Sequence, residues 1–132
     1  MKIAVDFDGT CVDHRFPEVG PDVPDAVQTL KALASRGDYL FLYTMRSGEY
    51  LEDAVQWFVE REIPLSGINS DPSQTKWTSS PKCYAELYID DAAFGCPLFQ
   101  PLGFKRKCVK WNDIRRKLLH LKSSVDVAME KS

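Results

Sequence analysis

Short apolar runs alternate with helix-period stripes along most of the chain. Ile3-Ala4-Val5 is apolar and stops abruptly at Asp6, the pattern of a buried strand that delivers its C-terminal end to a loop. Residues 9–22, which carry Gly20-Pro21, read as that loop. Pro24 suits the first turn of a helix, Ala26, Val27, Leu30, Leu33 and Ala34 form its buried stripe, and Gly37 closes it. Tyr39 to Tyr43 is a second apolar strand, ending at Thr44. A second helix starts at Ser47 or Gly48, carries Leu51, Ala54, Val55, Phe58 and Val59, and ends before Pro64.

Leu65 to Asn69 reads as a short third strand, and the polar stretch Asp71 to Pro81 as turns. Leu87-Tyr88-Ile89 is a further strand, closed by Asp90-Asp91. Cys108 to Trp111 reads as a last strand, and Ile114, Leu118, Leu119 and Leu121 mark a C-terminal helix. Strands separated by helices of this length imply an α/β fold of three layers, Rossmann-like, with a central parallel sheet covered on both faces. Residues 1–122 are expected to form one domain and 123–132 a frayed tail.

Ligands of such sheets bind at the carboxyl ends of the strands. Asp6, Thr44 and Asp90 end three of them and would therefore share one edge. In Asp6-Phe7-Asp8-Gly9-Thr10, two carboxylates alternate before a glycine that permits a tight turn. So close a pair does not readily ionise twice without a counter-charge. Two roles follow, one acid as ionised nucleophile and metal ligand, the other as proton donor and acceptor. Asp90-Asp91 adds hard oxygen donors of the kind Mg²⁺ prefers. Either cluster alone is also what a solvated acidic turn looks like; the combination at strand ends is sharper.

These residues resemble the haloacid dehalogenase superfamily of phosphatases. Ile3 to Thr10 is similar to its first motif, a strand followed by Asp-x-Asp-Gly-Thr, and Leu40 to Thr44 to its second, a strand ending in a hydroxyl. Leu87 to Asp91 is similar to the fourth, and the third is a lysine that Lys82, or alternatively Lys76, supplies. The resemblance spans residues 2–95 in order and implies a Mg²⁺-dependent phosphomonoester hydrolase. Asp6 would attack phosphorus to give an aspartyl-phosphate. Asp8 would protonate the leaving alcohol, activate the water that follows, and offer the metal its backbone carbonyl. Asp90 would bind the metal, Asp91 would support it, Thr44 would hydrogen-bond the phosphoryl group, and Lys82 would steady it. An acid at position 8 points, by the same resemblance, to phosphatase or phosphomutase chemistry. Asp6, Asp90, Asp91 and a phosphate dianion total about −5, and Mg²⁺, one lysine and one arginine return about +4, so the cations are needed before an anion can attack an anion.

Arg46, two residues beyond Thr44, can fork onto a substrate phosphate or lie at a helix N-terminus. His14 and Arg15 fall near the expected cavity mouth, as a substrate contact or as solvated loop, while His120 is assigned no role. Trp57, Trp77 and Trp111 are expected to pack rather than stack on bases. Residues 9–22 and 45–81 are too short for a substantial cap domain, so an open site is expected, with a small phosphorylated molecule or a polymer end as substrate.

Composition narrows the rest. The 132 residues are 44% hydrophobic and 27% charged, which disfavours disorder, and the net charge of −2 gives no general grip on nucleic acid. Asp6 interrupts the N-terminal apolar run, so neither a signal peptide nor an anchor is expected, and no stretch suits a bilayer. The expectation is a cytoplasmic protein with no membrane partner, its homo-oligomeric state left open. Cys11, Cys83, Cys96 and Cys108 are far apart and read as free thiols. Phosphotransfer to another acceptor, and a phosphate-binding module without turnover, are the competing functions; a phosphorelay receiver fits the Asp-x-Asp-Gly-Thr order poorly.

Overall fold

The computed structural model describes residues 1–119. Four strands, β1 (Lys2–Val5), β2 (Tyr39–Leu42), β3 (Gly67–Ile68) and β4 (Leu87–Ile89), form a parallel sheet in the order β3-β2-β1-β4. Helices flank this sheet, giving a mixed α/β fold consistent with the Rossmann-like expectation. β1 lies between β2 and β4, and its three apolar residues are buried, as an apolar run predicts.

The alternation of side chains across the pleat splits the core in two. Ile3, Val5, Leu40, Leu42 and Ile89 point to one face, where α1 (Ala26–Ser35) and α2 (Gly48–Glu60) cover them with Leu30, Leu33, Ala54 and Phe58. A third helix, α3 (residues 111–119), joins the same cluster through Trp111, Ile114 and Leu118. Gly37 ends α1 as expected, with φ +100° and its N–H bonded to Ala34 O at 3.0 Å.

The opposite face, built from Ala4, Phe41 and Tyr88, has a different cover. Asp71 to Pro81 is not simply a run of turns. It contains a 3₁₀ helix (Pro72–Lys76) with a capping box between Asp71 and Gln74, and Lys2 pairs with Asp71. Gln74 is buried with its amide fully used: it accepts from Asp71 N (3.0 Å) and Tyr84 N (2.9 Å) and donates to Ser80 O (3.2 Å) and Lys82 O (2.9 Å). One side chain thus ties this polar stretch together, and Cys83 and Ala85, which follow it, pack against the Ala4–Phe41 face.

Cys108 to Trp111 does not extend the parallel sheet. β6 (Cys108–Val109) pairs antiparallel with β5 (Leu98–Phe99), a strand too short to stand out in the sequence, and Trp111 already belongs to α3. This segment braces the Asp-x-Asp-Gly-Thr turn. Val109 N donates to Gly9 O at 3.0 Å and Trp111 Nε1 to Thr10 O at 2.6 Å. Trp57 and Trp111 are buried, but Trp77 is largely exposed, edge-on to Tyr84. All four cysteines are free. No helix among the described residues is long and apolar enough to cross a membrane. His120, Leu121 and the expected 123–132 tail lie outside the described residues.

Trp111→Phe removes the donor to a buried carbonyl while keeping most of the ring, and should cost roughly 2 kcal/mol. A denaturant melt checks this; an unchanged midpoint would mean the turn is held without α3.

Candidate functional site

Register decides what meets at the carboxyl edge. Val5 lies opposite Leu42 on one side and Ile89 on the other, so the residues that follow leave the sheet at one level. The Asp6 N–H continues the ladder to Ile89 O at 3.0 Å. One carboxylate oxygen each from Asp6, Asp90 and Asp91 lies within 4.8 Å of the others. Thr10 stitches them, its hydroxyl 3.0 Å from Asp6 Oδ2 and 3.5 Å from Asp91 Oδ1, while Asp91 N donates back to that hydroxyl at 3.2 Å.

Gly9 is required here twice over. Its φ is +85°, and a Cβ would come within 2.3 Å of Asp91 Oδ2. The acid cluster therefore closes over a bare backbone.

Burial pushes the Asp6 carboxyl up to about 8, aided by the charge of Asp90 and a hydrogen bond shared with Asp91. Asp91 is raised as well, first by its burial. Like charges gathered in a partly dry site call for a cation, and three hard oxygen donors from two strand ends can hold a metal ion.

Asp6, Asp8, Thr44, Arg46, Asp90 and Asp91 line one cavity of about 450 Å³, together with His14, Phe16, Met45, Ala92 and Arg106. Thr44 is aimed by Asn69, whose Oδ1 accepts the Thr44 N–H at 2.8 Å; Asn69 holds φ +59°, one of the few conformations in which asparagine is favoured. The Thr44 hydroxyl accepts from Arg46 N at 3.1 Å and donates to no protein group among the described residues.

Arg46 is committed to the protein rather than to the cavity. It is 3% exposed, and all five of its N–H groups have acceptors. Nε and Nη2 fork onto Asp8 at 2.8 Å each, Nη2 also reaches Glu18 O (2.9 Å), and Nη1 reaches Pro17 O (3.1 Å) and Tyr50 O (3.2 Å). Its guanidinium carbon lies 5.1 Å from the ring centres of Phe7 and Phe16. The geometry leaves no donor for a substrate and makes Arg46 the residue that orients Asp8.

Neither Lys82 nor Lys76 lines the cavity. The Lys82 ammonium sits over the Tyr88 ring, 5.3 Å from its centre. Arg15 bonds to Asp13 and Gly103 O instead of facing the site. Arg106, which no motif marks, does line it, and only its basic character in a Lys-Arg-Lys run could have drawn notice.

Fold and site together define a parallel α/β domain with an acidic, metal-competent cluster at the carboxyl edge of its sheet. A solved structure of a conserved protein from Bacteroides thetaiotaomicron is similar to this chain at 35% identity, with 96% of each chain covered and a TM-score of 0.73. The chain belongs to the same family as that conserved protein. No protein-family model matches it, and no curated protein does.

Breaking the Arg46 fork tests its role. Arg46→Met leaves Asp8 and three carbonyls without their donor and should lower stability by about 3 kcal/mol, read by urea unfolding. A second expectation concerns pH. A carboxyl whose folded value is raised binds its proton more tightly when folded, so metal-free stability falls as pH climbs from about 4 to 8. Asp6→Asn should flatten that decline and raise the pH 8 melting temperature by roughly 3 °C or more in EDTA. Parallel pH profiles for the two proteins would show that Asp6 is not strained.

Proposed function

We propose that this chain is a Mg²⁺-dependent phosphomonoester hydrolase of the haloacid dehalogenase type, working through an aspartyl-phosphate on Asp6. The observation that carries this reading is the gathering of Asp6, Asp90 and Asp91 oxygens within 4.8 Å, in one cavity with Asp8 and Thr44. The donor set is all oxygen, which suits Mg²⁺, with Asp6, Asp90, Asp91 and the Asp8 carbonyl as its holders. Bound there, the ion would offset the acid cluster and draw charge from the phosphoryl oxygens.

Asp6 then attacks phosphorus, forming an Asp6 oxygen–phosphorus bond as the bond to the ester oxygen breaks. Asp8, in its protonated form, would give that proton to the leaving oxygen and, once ionised again in the Arg46 fork, would take one from the water that releases phosphate. Arg46 serves by fixing the Asp8 carboxylate in the plane of its fork. The free Thr44 hydroxyl proton is suited to a phosphoryl oxygen. Lys82, whose ammonium rests over the Tyr88 ring outside the cavity lining, is left without a role in this step. A capless, open site draws support from the same stretches that sequence length singled out. Between β1 and α1 there is only a loop, and residues 45–81 are taken up by α2, β3, the 3₁₀ helix and their connections.

Asp6→Asn should abolish hydrolysis of an aryl phosphate, and EDTA should do the same to the parent protein until Mg²⁺ is restored. Turnover surviving in Asp6→Asn would remove Asp6 as nucleophile. Phosphoryl transfer to an added alcohol in place of water would instead favour a phosphotransferase or phosphomutase. Mg²⁺-dependent phosphate binding without turnover would favour a binding module.

A further inference from the structure

The cavity has two chemically different sides. Its floor is acidic, and its one arginine at depth is used up by Asp8 and backbone carbonyls. His14 and Arg106 also line it, and neither side chain has a hydrogen-bond or ion-pair partner among the described residues. Arg106 is exposed and His14 half-buried, which places this basic side at the rim.

A buried carboxylate ties together the two loops that carry them. Asp13, 0% exposed, accepts the Lys105 N–H and the Arg15 Nε–H on its Oδ2 at 3.0 Å each. Arg15 Nη2 goes on to Gly103 O at 3.3 Å. The Asp13–Lys105 bond thus joins the residue before His14 to the residue before Arg106, across 92 positions of sequence. Asp13 Oδ1 is buried with no hydrogen-bond partner among the described residues, which carries a desolvation cost. Burial resists the ionised form of Asp13, but the bonds from Lys105 and Arg15 outweigh it and hold the carboxyl below its ordinary value.

A single phosphate on the acid floor, with its metal, leaves the rim cations unanswered. We propose that His14 and Arg106 form an anion subsite, held in place by Asp13, so that the substrate is a small phosphomonoester carrying a second anionic group. This rests on the phosphohydrolase reading given above. Arg106 supplies a permanent charge and a fork, His14 a ring N–H, and Asp13 is a positioning residue that touches neither substrate group.

The test compares two esters that differ mainly in that second group, 3-phosphoglycerate and glycerol 3-phosphate, with Mg²⁺ present. The parent protein should prefer 3-phosphoglycerate by about tenfold in kcat/KM. Arg106→Ala should collapse the ratio, chiefly through KM, Arg106→Lys should restore part of it, and Asp13→Asn should lower it without removing it. An unchanged ratio in Arg106→Ala overturns the subsite. So does an equal loss on both esters, which would mean that Arg106 serves the reacting phosphoryl group. If neither ester is hydrolysed, the aryl-phosphate assay decides the hydrolase reading separately, and calorimetric binding of the same two compounds decides the subsite. Arg106-dependent preference for 3-phosphoglycerate would support it, and equal affinity would overturn it.

Discussion

The pairing of β1 with β4 forces like charges into contact. Once Val5 sits opposite Ile89, Asp6 and Asp90 have no choice but to emerge together, and Asp91 follows them. Every other device near the edge answers that constraint. Thr10 lends one hydroxyl to two carboxylates, Gly9 withdraws its side chain so that Asp91 can approach, and the β6–α3 junction clamps the turn from below through Val109 and Trp111. A packed hydrophobic sheet is what makes such crowding tolerable, because Ile3, Val5, Leu40 and Ile89 fix the strands more firmly than the acids can push them apart.

The acids are handled in two ways. Asp6, Asp90 and Asp91 have no ion-pair partner among the described residues and can hold a metal ion, whereas Asp8 is paired with Arg46. The same cavity therefore has a part whose charge is open to exchange and a part whose geometry is locked by Arg46. That division suits the proposed hydrolysis, in which one carboxylate would react and its neighbour would be held in place.

Much of the fold was legible because its signals are local. The stops at Asp6 and Asp90 after apolar runs, the stripes of α1 and α2 and the closing Gly37 all depend on neighbours within a few residues, and each element lies where the pattern puts it. The third strand is shorter than Leu65 to Asn69, since Asn69 leaves the ladder to hold Thr44. What the sequence concealed depends on distant partners. Arg46 looks like a phosphate fork until the carbonyls of Pro17, Glu18 and Tyr50 are seen around it. Arg106 carries no motif, and its loop is tied to the first loop by the N–H of the preceding residue, Lys105, which donates to Asp13. Lys82 has the right spacing before Asp90-Asp91, yet spacing along a chain does not fix where a long flexible side chain rests.

The bonds of Gln74 bear on what substitution can change. Because Gln74 alone satisfies four backbone groups of the 71–84 segment, that segment owes its shape to one amide more than to its remaining composition. Substitution at the outward positions of this stretch is compatible with its path as long as the amide at Gln74 is kept. Divergence there would say little about whether two proteins share the same working edge.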